Sequence, residues 1–170
     1  MPPAPALRRL LPADAAAYRE LRLEGLECHP EAFGAAWEDE ADKPLDWFAR
    51  RLESTTIIGG SVFGAGLDGV AGFMVPAPAK QRHRGVLWGM YVRPDARGSG
   101  LAAALVQQVV LAARGRVEAI RLSVVASNKA AIRVYQAAGF QEYGLEKRGL
   151  KLGSTYYDEM LMDRAVEPLP

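Results

Sequence analysis

The stretch Tyr91-Val92-Arg93-Pro94-Asp95-Ala96-Arg97-Gly98-Ser99-Gly100-Leu101-Ala102 constrains this chain more than any other. An apolar run ends at a proline turn, and two glycines one residue apart then open a segment with helical spacing. Glycine lets backbone N–H groups approach an anion, and the unpaired amides of a first helical turn carry a fixed partial positive charge. Arg97 adds a full charge, and Ser99 offers an amide and a hydroxyl. The pattern predicts a strand, a nest for a phosphate group and a helix, although a turn this short also serves as a plain strand-to-helix connection. There is no Gly-Lys-Ser/Thr ending, and the spacing differs from G-x-G-x-x-G, so neither a P-loop nor a dinucleotide-binding turn is predicted.

The other elements follow from periodicity. Leu7–Leu11 reads as a short strand, and Asp14 stands where it can cap a helix whose apolar stripe is Tyr18, Leu21, Leu23 and Leu26. Pro30 ends that helix, and another begins after Pro44 through Trp47, Phe48 and Leu52. Ile57-Ile58, Val62–Leu67 and Val70–Val75 read as strands, with Asp68-Gly69 as a hairpin turn and Pro76–Arg84 as a polar loop. Val86–Val92 is a strand, Gly100–Ala113 a helix, Ala119–Val125 a strand and Asn128–Ala138 a helix ended by Gly139. Phe140–Glu146 and Tyr156–Met162 are the last two strands. The order is that of an α/β protein, and without repeat, low-complexity tract or linker the 170 residues are expected to form a single domain, 1–170.

Composition narrows the function classes. With 49% hydrophobic and 24% charged residues the chain falls among ordinary globular proteins. A net charge of +1, with basic residues dispersed, gives no field for a polyanion, so nucleic acid is not expected as a partner. Cys28 is the sole cysteine, which excludes an intrachain disulfide or a multi-thiolate metal site; it reads as a small buried hydrophobe. No metal is expected. Met1-Pro2-Pro3-Ala4-Pro5-Ala6 lacks the pattern of a secretory signal and no stretch has the length of a membrane span, so a cytoplasmic chain without membrane contact is expected.

Two motifs together resemble the GNAT superfamily of N-acetyltransferases. Its cofactor motif, Arg/Gln-x-x-Gly-x-Gly/Ala, is matched by Arg97, Gly100 and Ala102. Its second signature, an asparagine opening a helix, a tyrosine along it and Gly-Phe after it, is matched by Asn128, Tyr135, Gly139 and Phe140. The resemblance is close over about residues 86–162. It implies a mixed, mostly antiparallel central sheet of about seven strands flanked by four helices and splayed between the fourth and fifth strands. It further implies acetyl-coenzyme A as co-substrate, with the pantetheine arm between the strand Trp88–Val92 and Ala119–Val125. Backbone groups of Met90, Tyr91 and Val92 would then bond that arm and the thioester carbonyl, the turn Arg97, Gly98, Ser99, Gly100, Leu101 and Ala102 would hold the diphosphate, and Asn128, Ala131 and Tyr135 would complete the cofactor contacts.

The implied reaction is transfer of acetyl to a primary amine of a small molecule or protein N-terminus. Tyr135 is the candidate general acid for the departing thiolate; the bland alternative is packing against Ile132 and Ala131. Asn128 can cap its helix and contact pantetheine at once. Many members of the superfamily carry a glutamate on the strand before the cofactor turn, but Val86–Val92 holds neither a carboxylate nor a histidine. The general base is therefore left open among Glu27, His29, Glu38 and Glu40, and the gap keeps a non-catalytic acyl-coenzyme A sensor or partner module in view. Glu38, Asp39, Glu40 and Asp42 beside Trp37 suggest an acidic, aromatic-edged wall for a cationic acceptor. By resemblance the loop Leu150–Thr155 and the last strand border the acceptor, which brings in Tyr156 and Tyr157, while the other carboxylates of that strand read as edge or surface groups. Exposed strand edges leave room for a homodimer.

Overall fold

A computed structural model describes residues 4–64 and 66–168; Met1–Pro3 of the N-terminal stretch and Ala65 of the expected strand Val62–Leu67 lie outside the described residues. Seven strands form one sheet: β1 (Ala6–Arg9), β2 (Thr56–Ser61), β3 (Gly69–Met74), β4 (Arg84–Val92), β5 (Ala119–Val125), β6 (Gln141–Leu152) and β7 (Thr155–Ala165). Their order is β1-β2-β3-β4-β5-β7-β6. Only β4 and β5 run parallel; the other neighbours are antiparallel. The helices are α1 (Ala15–Cys28), the four-residue α2 (Trp37–Glu40), α3 (Leu45–Ser54), α4 (Leu101–Ala113) and α5 (Lys129–Ala137).

Each face of the sheet has its own core. Leu101, Leu105, Val109, Ile132 and Tyr135 of α4 and α5 pack on Leu87, Val92, Leu122 and Val124. Tyr18, Leu21, Phe48 and Leu52 of α1 and α3 pack with Ile57, Val70 and Tyr91, against which Trp88 also lies. Strand β4 thus alternates: Leu87, Met90 and Val92 look to one core, Trp88 and Tyr91 to the other. Gly60 and Gly69 pair across β2 and β3, and a Cβ on either would meet a Leu101 methyl at 2.5 and 3.1 Å. These two small residues let the start of α4 seat Leu101 on the sheet, fully buried.

Several expectations are corrected. Residues 62–64 and 66–68 are a loop, because the Asp68 carboxylate accepts from the Val62 and Phe63 amides and the Ser61 hydroxyl, and Gly69 already pairs in β3. Asp14 does not cap α1; it accepts from the Leu11 amide and two Arg8 nitrogens, and those arginine bonds hold it down at about 2 despite partial burial. In α1 Leu23 is half-buried whereas Arg22 is buried. Cys28, expected inside, is exposed at the last residue of α1. The expected loop Leu150–Thr155 is mostly strand, with β6 running through Leu152 to a tight Gly153-Ser154 turn. Among the described residues no helix is long and apolar enough to cross a membrane.

Candidate functional site

The site begins where two strands part. Pairing between β4 and β5 runs only from Arg84↔Ala119 to Val86↔Arg121, while β5 stays bound to β7 as far as Val125↔Glu159. Residues Leu87–Val92 of β4 therefore have no β5 partner, and a wedge opens toward the ends of both strands. At its edge β4 carries a bulge: the register passes from Val70↔Tyr91 to Gly72↔Trp88, so Gly89 and Met90 together oppose Ala71. Gly89 sits at φ 61°, which accommodates the extra residue. A bulge leaves backbone groups free of the ladder, here beside the wedge.

At the mouth of the wedge lies the turn Arg97–Ala102. Gly98 and Gly100 adopt φ 76° and 86°, and a Cβ on either would meet nothing within 4 Å. The left-handed backbone suits glycine, and the space beyond is open, so this cradle fits a diphosphate. The Ser99 hydroxyl is turned inward, donating to the Ala96 carbonyl at 2.6 Å and accepting from the Leu101 amide at 3.3 Å. Ala102 is half-buried against the core. Arg97 folds back: Nε donates to the Val92 carbonyl at 3.1 Å and Nη2 to His29 Nε2 at 3.1 Å. Because a guanidinium only donates, His29 Nε2 accepts here and its other nitrogen carries the proton, facing Glu31 at 4.0 Å.

The α5 side carries the remaining residues expected at the cofactor. Asn128 caps the helix by accepting from the Ala131 amide at 3.2 Å, which leaves its amide nitrogen uncommitted by that bond. Tyr135 is 7% exposed, stacks edgewise on Phe140 and points its hydroxyl at Met90 Sδ, 3.5 Å away. Burial pushes its phenol well above the ordinary range, so it is protonated throughout the neutral range.

On the opposite face the expected acceptor residues scatter. Glu27 is exposed on α1, and Glu38 and Trp37 are exposed on α2. Glu40 leaves the acidic wall entirely: it is 4% exposed and accepts from Arg22 Nε and Nη2 at 3.0 and 2.9 Å and from Arg51. Burial alone would raise its carboxyl, but the bonds and charges of the two arginines outweigh that and hold it low. Tyr156 is exposed beneath Arg148, whereas alternation along β7 sets Tyr157 on the face shared by Glu159 and Leu161.

Four residues enter that were not expected. Glu159 is half-buried on the face opposite Met160 and Met162; burial raises its carboxyl, Glu146 adds to this, and a hydrogen bond from Ser123 opposes it. Glu24 accepts from the Tyr91 hydroxyl at 2.9 Å and from Arg93 at 3.0 Å; burial, then Glu24, pushes the Tyr91 phenol up to about 12. Gly89 forms the bulge, and Arg22 lies beside it. Two of these had a local sign: a glycine inside a strand pattern marks a bulge, and Arg22 interrupts an i,i+4 row between Tyr18 and Leu26. Among the described residues no group of three or more His, Cys, Asp or Glu gathers as for a metal ion.

Known proteins agree with this geometry. The model of the acetyltransferase (GNAT) family matches residues 16–140. No curated protein matches the sequence. Among solved structures, an acetyltransferase of the GNAT family from Streptococcus pneumoniae superposes with TM-score 0.83 at 22% identity, covering 96% of this chain and 99% of that one. A GNAT superfamily phosphinothricin acetyltransferase from Sinorhizobium meliloti, in complex with acetyl-coenzyme A, gives 0.81 at 20% identity over 96% and 89%. A ribosomal-protein-alanine N-acetyltransferase from Brucella melitensis gives 0.77 at 21% identity over 94% and 99%. These identities speak to the fold, and the expected seven-stranded sheet, parted at its parallel pair, is the one observed. With the family model spanning most of the chain, the wedge between β4 and β5 and the glycine turn at its mouth identify this protein as a member of the GNAT family of acetyltransferases.

Proposed function

We propose that this protein moves an acetyl group from acetyl-coenzyme A directly to a primary amine bound on the α1–α3 face of the wedge. The observation that carries the reading is the parting of β4 from β5 with an open, left-handed glycine turn at its mouth. The amides of Gly98–Ala102 hold the diphosphate, with Arg97 free to swing from Val92 and His29 toward it. The backbone of Met90, Tyr91 and Val92, released from β5 and bent by the bulge, bonds the pantetheine arm and the thioester carbonyl, and Asn128 and Ala131 border the arm. Acetyl-coenzyme A supplies the activated acetyl group.

Proton handling falls to two residues. The Tyr135 hydroxyl, whose one bond among the described residues is a weak one to the Met90 sulfur, donates to the departing thiolate; burial makes its proton harder to release, so the transfer relies on a thiolate formed close by in the same desolvated site. Glu159 takes a proton from the acceptor's ammonium, so that the neutral amine can attack the thioester carbonyl, since it sits half-buried beside β5 with a raised affinity for a proton. His29, the other nearby candidate, has its Nε2 engaged by Arg97.

The test is thiol release from acetyl-coenzyme A against amino acids, polyamines, aminoglycosides and peptides, alongside melting temperatures. Release that depends on the amine, with coenzyme A raising the melting temperature and ATP or dinucleotides leaving it unchanged, is the expected result. Coenzyme A binding without turnover on any amine would replace catalysis by an acyl-coenzyme A-binding module.

A further inference from the structure

The α1–α3 face holds a built anion site, and we propose that Arg22 uses it to receive the carboxylate of the acceptor, which makes the substrate class a small amino acid whose amine and carboxylate lie one or two carbons apart. This rests on the acetyl-transfer reading above and names its acceptor. Arg22 is 6% exposed, and Nε and Nη2 form a fork on Glu40. Nη1 takes part in no hydrogen bond among the described residues. It is not sealed off either: the sealed polar atoms lacking partners there are Arg19 Nε, Trp88 Nε1 and Arg114 Nε. The free end therefore stays reachable.

Its direction is given by Gly89. A Cβ on that glycine would lie 3.3 Å from Nη1, so the free end of the guanidinium faces the bulge of β4, beside the wedge. Phe33 and Trp88 flank it, with Cζ 5.4 and 5.6 Å from their ring centroids, and they limit the directions from which a partner can approach. The local charge is also unbalanced. Arg22 and Arg51 share the single carboxylate of Glu40, which leaves one positive charge in excess within a largely buried cluster. A second anion is the complement such a cluster lacks. The wall expected to be acidic and to select a cation is in its buried part cationic.

A carboxylate on Nη1 and an acetyl donor bonded along Met90–Val92 are separated by little more than the bulge, so the amine and carboxylate of one acceptor must be close neighbours. Binding tests this independently of turnover. L-Amino acids and the matching carboxamides are titrated calorimetrically into the protein saturated with coenzyme A. At least one amino acid is expected to bind about 10- to 100-fold more tightly than its carboxamide, the range of one charge-assisted pair. Arg22→Lys, which keeps the charge and loses the fork, and Arg22→Gln are expected to remove that difference while the coenzyme A-induced rise in melting temperature persists. Should Arg22→Gln fail to fold, the comparison of acids with carboxamides on the native protein still decides. Carboxamides binding as well as acids, or no acid binding at all, overturns the proposal. Acids that bind but release no thiol from acetyl-coenzyme A would overturn acetyl transfer and leave the anion site standing.

Discussion

The turn Arg97–Ala102 and the cluster Arg22–Glu40–Arg51 are the two places proposed to receive negative charge, and they are built by different means. The turn uses backbone: two glycines in left-handed conformation, open space beyond them and the amides of a helix start, all within six consecutive residues. The cluster uses side chains drawn from three helices, with Arg22 and Glu40 18 residues apart and Arg51 a further 11 along. A backbone nest is a property of a short segment and survives changes elsewhere. A buried ion cluster exists only when the whole face has packed, and removing one member leaves the others uncompensated.

That contrast can be broken most forcefully at Glu40. Glu40→Gln leaves two buried guanidinium groups without a carboxylate and is expected to cost about 3–5 kcal/mol, read as a fall in melting temperature of about 6–20 °C. The effect has a pH signature. Glu40 is held below its ordinary value in the folded state, so its contribution is present above the unfolded carboxylate range and is lost as pH falls through the folded value. The gap between native and variant melting temperatures should thus be full at pH 7 and close on acidification below about 4. An undiminished gap in acid would show that Glu40 acts through shape and not charge.

Tyr135→Phe comes next. It keeps the ring on Phe140 and removes only the hydroxyl at Met90, so turnover is expected to fall about 10²- to 10⁴-fold with little change in coenzyme A affinity. Equal turnover in the two proteins would return Tyr135 to a packing role.

The smallest of the three is at the turn. Gly100→Val forces a β-branched residue to φ 86° and fills the cradle, at about 1–3 kcal/mol of backbone strain. Coenzyme A binding should weaken by at least about tenfold, seen as loss of the melting-temperature shift, while the acceptor face is untouched. Retained affinity would mean that Arg97 and the β4 backbone hold the cofactor without the nest.

Legibility follows the same division. The glycine turn at Gly98 and Gly100 and the helix cap at Asn128 are found where local spacing places them, while Tyr135 is singled out by the family resemblance. The strand expected over Val62–Leu67 failed for a local reason of another kind, since Asp68 reaches back to the amides of Val62 and Phe63 and outcompetes pairing. Glu40 misled for a long-range reason. In a run of four acidic residues out of five it looks like its exposed neighbours, and nothing nearby says that Arg22 and Arg51 converge on it.

The sequence by itself determined the glycine turn and the helix within the second motif, because backbone conformation and helix ends are set within a few residues. Only the tertiary structure decided the α1–α3 face proposed for the acceptor. Whether a charge is solvated, paired or left with a free edge depends on which distant side chains share its burial, and Arg22 shows the result: an arginine inside an apolar row, two of its nitrogens on Glu40 and the third turned to the bulge at Gly89.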